Sequence, residues 1–315
     1  MLSLNMSGRR TCINDFIDIH THGIGRYDTR TAHPENILKI ACLHGKAGTG
    51  AILPTIYSAP IDEMRKNMEA VRQAITAGIR DSGLGVSKKT NPQPPTPNPY
   101  ACILGVHLEG PFLNPARCGA QDKKSFIKPT ISNLKKLIEG YEDMAKIITI
   151  APELPRALEV IEKSVSLGIK VNMGHSDATY KQALDGKKAG ATGITHLFNA
   201  MRPFHHREPG LAGFGLLDED IYIEVIADRI HINDEVLKFI FKIKRPDRII
   251  LISDSVKGNK DKKGRIYSKP GVLAGSSITL AEAVGNIKKI GIPERAVLKT
   301  VIDNPMKYLS CAELQ

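Results

Sequence analysis

Short apolar segments bounded by glycine or proline recur along this 315-residue chain, helical stretches separate them, and histidines and carboxylates stand at the segments' carboxyl ends. Together these features predict a (β/α)8 barrel, in which parallel strands alternate with helices and the strand ends build a site on one rim. The first strand is expected over Ile13 to Ile19, running into Asp18-Ile19-His20-Thr21-His22-Gly23, with a helix from about Pro34 to His44. Gly50 to Thr55 reads as the second strand, and Ile61 to Ile79 repeats its apolar residues at helical spacing. Ser87 to Pro99 is rich in proline, asparagine and lysine, so an exposed extended loop is expected there rather than a domain linker. A strand over Ala101 to Val106 resumes the alternation and leads into His107-Leu108-Glu109.

The second half continues in the same order. A helix over Ser132 to Tyr141 precedes the strand Ile147 to Ile150, which ends in Ala151-Pro152-Glu153. The helix Leu154 to Leu167 leads to the strand at Val171, which ends in Gly174-His175, and the helix Lys181 to Ala189 leads to Gly193-Ile194-Thr195, which delivers His196. Gly193 to Thr195 is too short for a helix and is bounded by glycine, so it reads as a buried strand. Tyr222 to Ile226 ends in Ala227-Asp228-Arg229-Ile230-His231, a helix covers Asp234 to Lys242, and Arg248 to Ile252 ends in Ser253-Asp254. Helices over Leu280 to Ile290 and Pro293 to Val301 close the chain. The eight strands fit one barrel domain over residues 1–315, and a doubly wound open sheet lacks support because no glycine-rich phosphate loop follows the first strand.

Composition narrows the function. A hydrophobic share of 42% supports a large core. No apolar run approaches the roughly 18 residues that span a bilayer, and Met1 to Arg10 lacks a signal peptide's apolar segment, so the cytoplasm is the expected compartment. Cys12, Cys42, Cys102, Cys118 and Cys311 are scattered without paired spacing, which argues against a zinc knuckle or a disulfide framework. The net charge of +11 is spread over helical faces and one loop, aromatic residues are only 5%, and no nucleic-acid motif is present. Charge of this kind suits a solvated surface or mild steering of an anionic small substrate.

The polar residues at the strand ends are His20, His22, Glu109, His175, His196 and Asp254. Burying four imidazoles and two carboxylates on one rim without partners would be costly, and a divalent metal resolves that cost. Nitrogen and carboxylate ligands without thiolate suit zinc first, with iron or manganese also fitting such a donor set.

Several stretches occur in the order known from one family: Asp18 to Gly23, Gly105-Val106-His107-Leu108-Glu109-Gly110-Pro111-Phe112, Ala151-Pro152-Glu153, Gly174-His175-Ser176-Asp177-Ala178, Thr195-His196-Leu197-Phe198-Asn199-Ala200-Met201, Arg207-Glu208-Pro209-Gly210, Asp228-Arg229-Ile230-His231 and Leu273-Ala274-Gly275-Ser276. The ordered set resembles the N-acetylglucosamine-6-phosphate deacetylases of the amidohydrolase superfamily. The resemblance implies a metal-dependent hydrolase of amino-sugar metabolism that removes acetate from an amino-sugar phosphate, with no nucleic-acid or membrane partner and a homodimeric state. It implies that Glu109, His175 and His196 hold the main ion, that His20 and His22 match the second site of binuclear members, and that one or two ions are bound. Asp254 would carry the water's proton to the leaving amine, and His231, with His107 as the alternative, would stabilise the oxyanion. Ala120, Asn199, Ala200, Arg207, His231 and Leu273 would contact substrate, Arg207 by offering its fork of donors to the phosphate.

Two departures from the pattern stand out. Relatives flank the barrel with a small β-sandwich from both chain ends, whereas strand one here starts almost at the first residue and the chain stops after the last helix, leaving the barrel alone as the expectation. Cys118-Gly119-Ala120-Gln121 stands where a Gly-Ala-His sequence is common, and a lysine-rich loop from Lys257 to Arg265 follows Asp254-Ser255-Val256, so sugar specificity is more open than reaction type. A hydrolase of another N-acyl amino sugar phosphate or N-acyl amino acid, and a non-catalytic sugar-phosphate sensor, are the competing readings.

Overall fold

The computed structural model describes residues 16–81 and 100–310. Eight parallel strands lie side by side in chain order: β1 (Phe16–Thr21), β2 (Thr49–Tyr57), β3 (Val106–Glu109), β4 (Ala145–Ile150), β5 (Lys170–Met173), β6 (Gly193–Ile194), β7 (Tyr222–Ile226) and β8 (Ile249–Ile252). The sheet closes at the rim, where Asp254 N donates to His20 O at 2.9 Å and His22 N to Ser255 O at 2.8 Å. The expected (β/α)8 barrel is therefore present.

Helices on the outside follow α1 (Pro34–Lys46), α2 (Ile61–Asp81), α3 (Ile131–Ile138), α4 (Ala157–Ser166), α5 (Tyr180–Lys188), α6 (Gly210–Leu217), α7 (Asp234–Ile243) and α8 (Leu280–Lys289). Their starts are written in the sequence. Thr179 with Gln182 and Thr279 with Glu282 form capping boxes that satisfy the first backbone donors of α5 and α8, and Asn233 caps α7. None of the helices among the described residues is long and apolar enough to cross a membrane.

The closed sheet separates two layers of core. Outward residues such as Ile52, Leu108, Ile148, Val171 and Val225 pack under the helices. Ile17, Ile19, Ala51, Leu53, Ile147, Ile226, Ile250, Ile252 and Tyr308 form a second, inner cluster. The alternation of strand side chains then places His107, Glu109, Thr149, Asn172 and Glu224 on the inner side, all buried. A register shift in β1 between Asp18 and Thr21, of the kind that re-aims a side chain, accompanies His20 facing the interior.

Several expected boundaries differ. The strand expected over Ala101 to Val106 is broken at Gly105, whose φ of +140° ends regular pairing, so Cys102–Ile103 pairs with β2 and the barrel strand begins at Val106. Helix α6 carries no amphipathic signal because seven of its eight residues are buried. The last expected helix is Glu294–Leu298, which continues through a π-turn at Lys299–Asp303 into Asn304–Ser310, and a hairpin of Tyr267–Lys269 and Val272–Leu273 follows the lysine-rich loop. Ile13 to Asp15, the loop Ser87 to Pro99, Cys12 and Cys311 lie outside the described residues, whereas Cys42, Cys102 and Cys118 are free thiols.

Candidate metal centre

Glu109 ends β3, and its side chain is the hub of the rim. Its Oε1 lies 3.0 Å from Nε2 of His175 and 3.0 Å from Nε2 of His196, while its Oε2 lies 3.2 Å from Nε2 of His22. Gln121 donates its Nε2 to the same Oε2 and accepts from Ser58 N at 3.0 Å, which fixes the carboxylate's rotation. Beside this group, His20 Nε2 and His22 Nε2 stand 3.3 Å apart, and Asp254 Oδ1 lies 3.5 and 3.6 Å from them. Thus the six residues singled out at the strand ends come together, all nearly shut off from solvent.

The orientation of each ring shows what fits between them. His175 Nδ1 donates to Arg117 O at 2.9 Å and His22 Nδ1 to Thr55 O at 3.1 Å, while His20 Nδ1 faces Glu224 Oε2 at 2.9 Å. With the proton on Nδ1, each ring turns a lone pair towards the carboxylates of Glu109 and Asp254. Acceptor facing acceptor at about 3 Å is repulsive unless a positive species lies between. At His20 a proton is disfavoured, because burial, opposed by the charge of Glu109 but reinforced by the neighbouring rings, holds this imidazole well below its usual range. His196 Nδ1 is buried without a described partner, another polar atom whose ring is committed only on its Nε2 side. The residues present therefore fit a divalent cation.

The two rim carboxylates are driven apart in proton affinity. Burial alone would raise Glu109, but with protons rather than a cation on the ring nitrogens that face it, the charges and hydrogen bonds of His175, His22 and His196 outweigh burial and hold the carboxyl well below its usual range. Asp254 is pushed well above its usual value by burial first and by the charge of Glu109 second.

The backbone is shaped for the same purpose. His175, His196 and Asp254, each two residues past the end of its strand, have φ of 46°, 30° and 45°, a region that L residues enter at a cost. Neighbouring loops hold them there. Asn114 N donates to His175 O at 2.9 Å, and Glu153 accepts from Asn114 Nδ2, Ser176 Oγ and Asp177 N at 2.8, 2.7 and 2.6 Å, so the strand-four carboxylate braces the turn that carries His175.

The remaining predicted residues surround this centre unevenly. Gly119 arches over His175 and Ala200, where an added methyl would sit 3.5 and 3.2 Å from their side chains, and Ala120 follows it half-buried. Asn199 donates Nδ2 to His196 O at 3.3 Å and Leu197 O at 3.2 Å. His231 joins Asp228 Oδ2 at 2.6 Å through Nδ1 and Ala274 O at 2.8 Å through Nε2, next to half-buried Leu273. Burial would lower His231, but its bonds to Asp228 and Ala274 raise it above the usual imidazole value. Arg207 is exposed, with its described contacts to His205 and His206 rather than to the central cluster. His107 lies beneath the site with Nδ1 on Ile19 O at 3.1 Å and Nε2 on Thr149 Oγ1 at 2.9 Å; both nitrogens are committed, so the alternative oxyanion role does not hold. Gln121 and Glu224 are functional candidates that sequence reasoning missed. An acid in the middle of the apolar strand Tyr222–Ile226 was the available signal for the second.

A closed parallel barrel with an imidazole and carboxylate cluster on its carboxyl rim defines the class as the metal-dependent hydrolases of the amidohydrolase superfamily. No protein-family model matches the chain. It is 33% identical over 289 residues to the N-acetylglucosamine-6-phosphate deacetylase of Lysinibacillus sphaericus, covering 87% of this chain and 70% of that one. It is 29% identical to the N-acetylgalactosamine-6-phosphate deacetylase of Escherichia coli O157:H7, covering 87% and 71%. Among solved structures, a mutant of the Mycobacterium smegmatis N-acetyl-D-glucosamine-6-phosphate deacetylase in complex with N-acetyl-D-glucosamine-6-phosphate aligns with a TM-score of 0.81 at 26% identity, covering 94% of this chain and 77% of that one. The chain belongs to the N-acetylglucosamine-6-phosphate deacetylase family.

Proposed function

We propose that this chain hydrolyses the acetamide of N-acetylglucosamine-6-phosphate to acetate and glucosamine-6-phosphate, using a divalent cation held by Glu109, His175 and His196. The observation that carries this is the position of Glu109 Oε1, 3.0 Å from Nε2 of both histidines. These residues would hold a cation, zinc first among the candidates, which would supply Lewis-acid polarisation of the amide carbonyl and a water acidified to a pKa of about 7. His20, His22 and Asp254 form a second group of donors suited to another ion.

The chain's own residues supply the rest. Asp254 takes the proton of the attacking water and returns it to the departing amine, which cannot leave as an anion. His231, held by Asp228, can exchange its Nε2 bond to Ala274 O for one to the developing oxyanion. Asn199 and the segments at Ala120, Ala200 and Leu273 border the sugar, and the Arg207 fork receives the phosphate. The described residues work as one barrel domain, with the cytoplasm as its compartment, and the exposed apolar row Val236, Phe239 and Ile243 on α7 supports a homodimer.

The test is acetate release by purified protein from a panel of N-acetylated sugar phosphates, their unphosphorylated forms and N-acetyl amino acids, with metal content measured on the same sample. N-acetylglucosamine-6-phosphate should give the highest kcat/KM, and chelation should abolish it. The 29% identity to a galactosamine enzyme favours one competitor, so the 4-epimer belongs in the panel. Equal rates on unphosphorylated amides, or full activity without metal, would overturn the reading.

A further inference from the structure

Beneath the metal centre a chain of hydrogen bonds crosses the barrel from the carboxyl-terminal helix to His20. Thr192 Oγ1 donates to Tyr308 Oη at 3.3 Å, and Tyr308 Oη donates to Asn172 Oδ1 at 2.5 Å. Asn172 then donates Nδ2 to Glu224 Oε1 at 2.7 Å, leaving Glu224 Oε2 for His20 Nδ1 at 2.9 Å. The chain has a direction. Because the tyrosine hydroxyl is received by the Asn172 oxygen, the amide nitrogen must face Glu224, and Glu224 in its ionised form can only accept, although burial pushes its carboxyl up to about 7. His107 does not compete, since its Nδ1 is 4.0 Å from Glu224 Oε1 and bonded to Ile19 O instead.

We propose that Glu224 is a positioning residue that, with Asn172 and Tyr308, locks His20 with its proton on Nδ1, so that Nε2 presents a lone pair towards His22 and Asp254 for a second cation. This rests on the reading of the rim as a metal centre. A purely structural role explains the arrangement poorly. Glu224 is 2% exposed, and the apolar cluster of Ile147, Ile226 and Ile250 lies on the same side of the sheet. Burying a carboxylate in such surroundings stabilises a fold less well than packing a hydrocarbon there. Its oxygens instead go to one amide donor and one imidazole donor, the arrangement by which an acceptor behind a histidine fixes the tautomer and raises the basicity of the far nitrogen. Gly193 carries the same logic in the backbone. A methyl on β6 at that position would overlap Asn172 Oδ1 and come within 2.6 Å of Tyr308 Oη, so glycine leaves room for the Tyr308-Asn172 bond.

The experiment reads the tautomer and the second ion separately. In metal-free protein labelled with 15N in histidine, with the His20 signals assigned by their loss in His20→Ala, wild type should show a protonated Nδ1 and an unprotonated Nε2. Glu224→Gln should shift that pattern towards the other tautomer. In titrations with Zn2+ or Co2+, wild type should bind two ions per chain, and Glu224→Gln should weaken the second by ~10–100-fold while leaving the first unchanged. If Glu224→Gln does not fold, Tyr308→Phe, which keeps the carboxylate and removes the hydroxyl that sets the direction, should weaken the second ion several-fold. An unchanged tautomer and an unchanged second affinity in the folded variant overturn the inference and leave the catalytic reading intact. A wild type that binds one ion overturns the second cation and this inference with it. One that binds none overturns the metal reading itself.

Discussion

Asp254 and Glu109 share a rim, yet their surroundings push their proton affinities in opposite directions, Asp254 up through burial and Glu109 down through its histidines. Asp254 Oδ1 stands 3.5 and 3.6 Å from Nε2 of His20 and His22, placed to carry a proton at the rim, so Asp254→Asn should keep most of the metal and substrate affinity and lower kcat by ~10²–10⁴. Loss of metal in that variant would instead make Asp254 a ligand, and near-normal kcat would remove it from the reaction. Arg207 is exposed and makes its described contacts with neighbouring histidines, so its fork is available to an anion. Arg207→Ala should raise KM for the phosphorylated sugar at least tenfold and leave the unphosphorylated analogue almost unchanged; equal losses on both would refute the phosphate role. Away from the site, burial lowers Lys244 to about 8, with Asp218 opposing the shift. Its folded pKa lies below the unfolded one, so the unfolded chain binds more protons between about pH 8 and 10.5, and stability rises with pH across that window. Lys244→Met lacks this titration. Discounting for solvent screening, the stability of wild type relative to the variant should improve by about 1–2 kcal/mol from pH 7.5 to pH 10 in urea unfolding. Parallel pH profiles would exclude Lys244 as the source.

At the scale of elements, legibility followed periodicity. Seven of the eight outer helices and the barrel strands announced themselves because each is apolar on one side or bounded by turn residues, and the five candidate ligands that meet at the rim were readable because they stand at or just past strand ends. Helix α6 was not readable, since Gly210 to Leu216 is buried on every side and its composition matches a buried strand as well as a helix. Its glycines belong to its packing. At Gly215 a methyl would lie 2.7 Å from Ile194 Cδ1, 3.2 Å from Leu197 Cδ1 and 3.3 Å from Ile223 Cγ2. Alanine in place of helical glycine would contribute roughly 1 kcal/mol, but overpacking costs about 1–3 kcal/mol, so Gly215→Ala should destabilise the fold slightly or by up to about 2 kcal/mol. A clear gain in the midpoint of urea unfolding would mean that Ile194 and Leu197 move aside freely. Glu224 and Gln121 escaped for a different reason. Their role depends on which side chains they meet across the barrel, through His20 and Glu109, and no local pattern encodes a contact between residues 204 or 12 positions apart.

For the whole molecule, the candidate metal centre gathers side chains from distant parts of the described chain. Glu109, His175 and His196 come from β3 and from just past β5 and β6, His20 and His22 from β1 and the residue after it, and Asp254 from beyond β8, where β8 and β1 close the barrel. A cation there ties the seam to the middle of the sheet, so its loss should be felt by the barrel as one unit. Ligand-linked stabilisation is about 4 kcal/mol at a free concentration ~1,000 times Kd. With an unfolding entropy near 2.1 cal/mol/K per residue, a barrel of this size should lose roughly 5–8 °C in Tm on chelation. The loss should appear as a single shifted transition, recover when Zn2+ is restored, and be nearly absent in Glu109→Gln, which cannot hold the ion in the first place. A separate low-temperature transition in the chelated protein would instead mean that the rim loops unfold on their own and that the cation organises the site without bracing the barrel.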